Sequence, residues 1–279
     1  MLKKIDRGAN FVRNNGALFR CPKCHSQMIA QNYQLRCEKG HTFDLSKKGT
    51  LYFLDHQIKT EYDVKLFFHR QKMIKSGMYQ PLIDKIIPFC DHEKILDVGC
   101  GEGSFLNEIA TKVAIDASVG FDISKEGIYL ATEQPNEAFW CVADLTNLPF
   151  QKESFSILLN IFSPSNYQEF ERVLKKDGKV IKVVPGPNYL QELRQAFYPE
   201  DSSKQIYSNQ LVIDKFFENF SNVTHQKIQY TFDIPKENRA SLLEMSPLEW
   251  NASEKIKEEL QNHLIKKVTI DLELLIGSF

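Results

Sequence analysis

KILDVGCGEGSF, residues 94–105, decides how the rest of this 279-residue chain is read. It opens as a short apolar run of the kind that fills a buried strand, and Asp97 stands at the strand's end. Gly99, Gly101 and Gly103 follow at alternate positions before a helical stretch, SFLNEIATKV. Glycines there let the backbone approach a nucleotide-like ligand closely. A dinucleotide fingerprint would read G-x-G-x-x-G and set a pyrophosphate on the helix N-terminus. Here the third glycine comes one residue early and an acid precedes the loop. Asp97 repels a pyrophosphate but suits the ammonium of a methionine moiety, so the loop points to S-adenosylmethionine and away from a nicotinamide cofactor.

The following strands extend this reading. SVGFD ends at Asp122, nineteen residues after Gly103, where a carboxylate can accept both ribose hydroxyls. The next strand, AFWCVAD, ends in Ala143, Asp144 and Leu145, placed to meet an adenine. Ligands of open parallel sheets sit at such carboxyl ends of strands. Strand-like and helical runs alternate from residue 94 to about residue 197, which is βαβ logic and predicts a parallel sheet covered by helices on both faces. VTHQKIQYTFDI and KKVTIDLELLIG read as two further strands, the sheet finishing with an antiparallel one. Residues 61–78 read as a linking helix ended by Gly77, with a second helix from about Tyr79.

The amino-terminal part has other chemistry. Cys21-x2-Cys24-x12-Cys37-x3-His41 offers two knuckles of two ligands each, the spacing of a tetrahedral zinc site. Three thiolates and an imidazole leave no open coordination position, so the metal would be structural. His25 is a rival to His41, and His41 is preferred because Cys37 and His41 mirror the first knuckle. Tyr33, Leu35, Phe43 and Leu45 alternate as a small hairpin would. The other cysteines, Cys90, Cys100 and Cys141, sit in or beside apolar runs and read as buried thiols. Residues 1–60 hold eleven basic and four acidic residues, a net of +7, which leaves −8 for the remainder of a chain whose total is −1. A basic module on an acidic body suggests that the module meets a polyanion, with Lys23, Arg36, Lys39, Lys47 and Lys48 as the phosphate grip. The basic start carries no apolar segment behind it, and no run approaches a membrane span. The expectation is a soluble, cytoplasmic protein with no membrane partner. Its expected divisions are an extension and zinc module over 1–60, a helical linker over 61–92 and a methyltransferase domain over 93–279.

Taken together, the chain resembles the bacterial 23S ribosomal RNA guanine-N1-methyltransferases. The resemblance rests on the Cys21, Cys24, Cys37 and His41 set followed by FDLSKKG, on SGMYQPL and ILDVGCGEG, on IFSP and PGPNYLQEL, and on LLEMSPLEW. It implies a class I, Rossmann-like α/β methyltransferase sheet preceded by a small zinc-binding β module. It also implies a homodimer, and methylation at N1 of one guanine in a hairpin loop of 23S rRNA with the zinc module helping to grip the RNA. By the same resemblance Tyr79, Gly101, Glu102 and Tyr189 line the cofactor pocket, while Asn160 stands where relatives have arginine and Ser163 where they have alanine. The segment after the fourth strand then faces the methyl group. Asn160, Ser163 and Ser165 are its polar candidates, and Phe162 and Pro164 form an apolar wall for the base. Trp250 and Met245 read as packing residues. Readings from other classes are a methyltransferase of small molecules or proteins with the finger as a docking element, a zinc-dependent binding protein with a degenerate cofactor site, and a nicotinamide oxidoreductase.

Overall fold

The computed structural model describes residues 2–56, 58 and 61–279. The chain starts with α1 (Lys4–Asn15), followed by a three-stranded antiparallel ribbon of β1 (Met28–Gln31), β2 (Gln34–Cys37) and β3 (Thr42–Asp44). Next come a two-residue strand, β4 (Leu51–Tyr52), and helices α2 (Val64–Met73) and α3 (Gln80–Ile86). Asp63 starts α2 by accepting a hydrogen bond from the Leu66 amide at 2.8 Å, and Gly77, at φ +87°, turns the chain before α3. The body then runs β5 (Lys94–Val98), α4 (Ser104–Ala110), β6 (Ala117–Asp122), α5 (Lys125–Ala131), β7 (Phe139–Val142), β8 (Phe155–Ile161), α6 (Tyr167–Val173) and β9 (Leu174–Pro185). It closes with α7 (Gln191–Phe197), α8 (Ser202–Gln205), α9 (Gln210–Asn219), β10 (Asn222–Asp233), α10 (Arg239–Glu244), α11 (Glu254–Asn262) and β11 (Lys267–Ser278).

Eight strands form one sheet in the order β10-β11-β9-β8-β5-β6-β7-β4. Pairing is parallel from β9 through to β4, whereas β11 runs antiparallel to both of its neighbours. The antiparallel strand therefore does not finish the sheet as the sequence suggested. It is inserted one place in from the edge, and β10 takes the edge. β11 is buried along most of its length while β10 is largely exposed: Val268, Ile270, Leu272, Leu274 and Ile276 give β11 one unbroken apolar face, and THQKIQ offers none.

Side chains alternate across the sheet with period two. Ile95 of β5 and Ile157 and Leu159 of β8 point into the core under α3, α4, α5 and α7. Leu96, Val98 and Leu158 point into the opposite core, which α6 and α9 cover from one end. The other end of that second face is covered by the amino-terminal module. Val12, Phe19, Leu35, Phe43 and Phe53 share this core with Val119, Phe139 and Phe150. The connection from β7 to β8, residues 143–154, carries no helix, so the module fills the place a crossover helix would occupy. Phe11 stacks on Phe139 at 4.9 Å, Phe19 bridges to Phe150, and β4 adds to the sheet edge beside β7. The described part of this module is thus one wall of the body's core. Among the described residues no helix is long and apolar enough to cross a membrane.

Candidate active site and metal centre

The ribbon holds four donors together. The Cys21 and Cys37 sulfurs lie 3.5 and 3.4 Å from Nδ1 of His41, and the Cys24 and Cys37 sulfurs lie 3.6 Å apart. These are the edges of a tetrahedron whose centre is about 2.0–2.3 Å from each ligand, the distances zinc takes to nitrogen and sulfur. The knuckles are shaped by the backbone: the His25 amide donates to the Cys21 carbonyl at 2.8 Å, and the Gly40 amide to the Cys37 carbonyl at 2.9 Å. His25 is spent on the first turn, with φ +59°, and the converging set contains His41 as preferred from the spacing. The donor chemistry fits a structural zinc ion.

The second site is a cavity of about 480 Å³ at the carboxyl ends of β5, β6, β7 and β8. Gly99, Gly101 and Gly103 all have positive φ (+64°, +55° and +75°), which explains the alternate glycines. Space demands them too. A Cβ on Gly99 would lie 2.7 Å from Cβ of Ser163, and one on Gly103 would lie 2.4 Å from the Trp140 ring. Asp122 clasps the loop, its two carboxylate oxygens accepting the Gly101 and Ser124 amides at 2.8 Å each. Each oxygen keeps a lone pair for a ligand hydroxyl. Asp144 is fixed similarly by the Thr146 amide and hydroxyl, and Leu145 lies beside it on the cavity wall.

The cavity's acids make it a cation site. Burial, with Glu102 and Asp122 nearby, pushes the Asp97 carboxyl up to about 8. Burial also raises Glu102 and Asp122 above the ordinary carboxylate range, and Arg70 opposes the shift in both. Oε1 of Glu102 is buried with no hydrogen-bond partner among the described residues, although Glu102 lines the cavity. Such an orphaned acceptor fits a ligand donor.

Across the cavity stands an aromatic wall. The rings of Tyr79, Phe105, Phe162 and Tyr189 lie 5.2–5.9 Å from their neighbours in the group, and the Tyr79 and Tyr189 hydroxyls hydrogen-bond to each other. Phe162 has φ +57°, a conformation that a bulky residue holds only when its surroundings enforce it. The enforcing network is explicit. Asn160 Nδ2 donates to the Ser163 hydroxyl at 2.6 Å and the Pro164 carbonyl at 2.8 Å, and Ser163 Oγ donates to the Val98 carbonyl. Lys182 Nζ donates to Asn160 Oδ1 at 2.6 Å and Ser165 Oγ at 2.9 Å.

Of the residues the sequence singled out, Tyr79, Gly99, Gly101, Glu102, Asp122, Asp144, Leu145, Phe162, Pro164 and Tyr189 line this one cavity. Asp97 and Gly103 lie behind the wall, the first buried at the end of β5 and the second starting α4. Asn160, expected to face the methyl group, is instead fully buried with its amide committed to the turn. It shapes the wall that Phe162 and Pro164 present. Met245 borders the cavity, whereas Trp250 packs edge-on against Tyr62.

Two family models match the chain: one described as a methyltransferase domain over residues 90–263, and one for the RlmA amino-terminal zinc ribbon over residues 19–60. A Bacillus subtilis protein, YxjB, which carries the name of a 23S rRNA (guanine-N(1)-)-methyltransferase, is 41% identical over 94% of this chain and 97% of its own. The chain belongs to this methyltransferase family. A Streptomyces fradiae member, named as a 23S rRNA (guanine(748)-N(1))-methyltransferase, is 26% identical over 83% of this chain and 85% of its own. Among solved structures, a Haemonchus contortus phosphoethanolamine N-methyltransferase shares the fold with a TM-score of 0.51 at 16% identity, covering 79% of this chain and 59% of that one.

S-adenosylmethionine is the cofactor of such a methyltransferase, and one cavity residue, Arg70, is absent from those the sequence singles out. Arg70 lies on α2 and lines the cavity, its charge acting on Glu102 and Asp122 and its Nε donating to the Met245 carbonyl at 3.4 Å. Its guanidinium sits 5.7 Å from the Tyr62 ring centre and 5.9 Å from that of Phe67. The signal was present in LFFHRQKM, where one arginine interrupts a helix face that is otherwise apolar.

Proposed function

We propose that the protein transfers the methyl group of S-adenosylmethionine to N1 of a guanine in a hairpin loop of 23S ribosomal RNA. The observation that carries this is a cavity with cation-seeking acids and a glycine loop on one side and a rigid aromatic turn on the other. In this reading Asp122 accepts the ribose hydroxyls and Asp144 and Leu145 meet the adenine. Glu102 and the field of Asp97 take the ammonium, and Arg70 the carboxylate. Tyr79 and Tyr189 stand at the methionine end.

The chemistry would be an in-line displacement: guanine N1 would bond to the methyl carbon as the bond to sulfur breaks, S-adenosylhomocysteine would leave with the electron pair, and the N1 proton would pass to solvent. S-adenosylmethionine supplies an activated methyl group, and the chain's own residues contribute positioning and the exclusion of water. Phe162 and Pro164 form the apolar face against which a base extruded from its stack can lie. The turn that carries them is fixed in advance by Asn160, Ser163 and Lys182, so orientation does not have to be acquired during reaction.

The test uses unmethylated 23S rRNA from cells lacking the gene. Wild-type protein with labelled S-adenosylmethionine should place label in the RNA and create one new reverse-transcriptase stop, because an N1 methyl blocks base pairing. Asp122→Ala should do neither at the same cofactor concentration. Label in protein or small molecules, with none in RNA, would move the reading to another substrate class. The homodimer and the cytoplasmic location belong to the same reading, and sedimentation equilibrium at twice the 32.3 kDa chain mass is the check on the first.

A further inference from the structure

A second cavity, of about 440 Å³, lies across the 162–165 turn from the cofactor site. Phe162, Ser163, Pro164 and Pro185 line both. The two differ in charge. The cofactor cavity is lined by Glu102, Asp122 and Asp144, whereas no carboxylate lines the second cavity, whose ionisable groups are Lys182, Lys215 and the phenols of Tyr167 and Tyr207. Lys182 is only 2% exposed and has no carboxylate partner among the described residues, its ammonium being held by Asn160, Ser163 and Ser165. Burial lowers the Lys182 ammonium to about 8, so at pH 7 it still keeps its proton, and its partners here are neutral oxygens. In a body that carries a net −8 outside residues 1–60, this is a local basin for an anion.

The rim adds a stacking platform. The Tyr207 ring lies 5.7 Å above the Arg194 guanidinium, and its hydroxyl bonds with Asn209, whose amide donates to the Pro185 carbonyl at 2.9 Å. Leu211 is 84% exposed beside it, and Phe162 is half-exposed on the shared turn. Aromatic faces, a fixed amide and lysines without acids are the chemistry that holds single-stranded nucleic acid: rings for the bases, cations for the phosphate.

We infer that this second cavity is a subsite for the nucleotide adjoining the methylated guanine, with its base on Tyr207 and its phosphate toward Lys215 and the field of Lys182. The inference rests on the RNA reading of the first site. The shared turn then acts as a divider. The target base lies on the methyl side of Phe162 and its neighbour on the other side, which keeps the extruded base from swinging back into its stack.

The test measures kcat and KM for unmethylated 23S rRNA with the full-length protein. Tyr207→Ala should raise KM by about fivefold or more, the effect of losing one base–aromatic stack, and should raise KM more than it lowers kcat. Tyr207→Phe, which keeps the ring and loses only the hydroxyl, should restore a low KM. Lys215→Ala, at an exposed helical position, should also raise KM and should make it less sensitive to salt. S-adenosylmethionine affinity by calorimetry should match wild type in all three. A wild-type KM in both Tyr207→Ala and Lys215→Ala overturns the subsite while leaving the methylation reading intact. Equal impairment of Tyr207→Phe and Tyr207→Ala also overturns it, because the hydroxyl bond to Asn209 would then be what matters. A wild-type protein that labels no rRNA removes both readings.

Discussion

At the scale of single residues, the cofactor site is governed by where charge is buried. Asp97 is the clearest case: burial raises its carboxyl from the usual range to about 8, so in the ligand-free protein at neutral pH it carries a proton. A cationic ligand favours the ionised form, so S-adenosylmethionine should displace that proton. Affinity should therefore rise with pH between about 6 and 8 and level off above, and calorimetry at pH 7 in buffers of different ionisation heat should show proton release. The stability consequence has the opposite slope. A raised folded pKa means that the native state holds a proton the unfolded chain has lost above about 4, so ligand-free stability falls as pH climbs from there through 8. Asp97→Asn should flatten both slopes, and a pH-independent affinity without proton release would refute the assignment. Arg70 supplies the complementary charge. Arg70→Met should weaken S-adenosylmethionine by roughly tenfold or more, the effect of a lost hydrogen bond to a charged group, and calorimetry reads it directly. The loop, its glycines and the strand-end acids were legible in sequence because each is a local requirement. Arg70 was not, because only the packing of α2 against the loop brings it there from 27 residues upstream of Asp97. The burial of Asn160 has a related cause: its partner Lys182 lies on the neighbouring strand, and a sequence does not show which polar groups satisfy each other inside a core.

At the scale of elements, the zinc ribbon occupies the place of a missing helix. Sequence reading separated a small metal module from a large body because their local chemistries differ. The ligand spacing was legible, but β4 at the sheet edge and the helix-free link from β7 to β8 were not. A two-residue strand has no periodicity, and a link's lack of a helix matters only once the exposed sheet face beneath it is known. The energetic result is a shared core in which Phe19, Phe43 and Phe53 pack with Phe139 and Phe150. Structural zinc sites contribute about 10 kcal/mol or more of folding free energy. Zinc removal by chelation, or Cys37→Ser, should therefore lower the unfolding temperature of the whole chain in one cooperative transition and expose the sheet's second face. Scanning calorimetry checks this. Two separate transitions, with the larger one unmoved by zinc loss, would mean that the module folds apart from the body.

At the scale of the whole molecule, the charge asymmetry has two parts that sequence alone could not separate. Some of the amino-terminal cations are used internally. Lys4 and Lys48 both pair with Glu133 of the body at 2.6 and 2.7 Å, Arg20 pairs with Glu169 at 3.5 Å, and Lys23 pairs with Asp55 at 2.6 Å. Glu133 is held well below the ordinary carboxylate range, at about 2, by hydrogen bonds from those two lysines. The basic module and acidic body are therefore complementary partly because they bind each other. Arg36, Lys39 and Lys47 are different: they are exposed on the ribbon and its following turn, with no ion-pair partner among the described residues. With Lys3 and Arg13 of α1, also exposed and without an ion-pair partner among the described residues, these are cations available to an RNA phosphate. Reversing Lys47 and Lys48 together would mix the two roles, so they should be tested apart. Arg36→Glu, Lys39→Glu and Lys47→Glu should each weaken binding to a 23S rRNA hairpin fragment. Each should also reduce the slope of log affinity against log salt by about 0.7–0.9, the release of one phosphate's counterions. Lys48→Glu should lower thermal stability modestly, since exposed pairs contribute about 1 kcal/mol or less, and leave the salt slope near wild type. The methyl mark should appear at the same guanine in all four variants, because phosphate contacts position a substrate without reading its sequence. A salt slope that falls for Lys48→Glu and holds for the other three would place the RNA on the face where the module meets the body, and the ribbon's outer surface would lose its role.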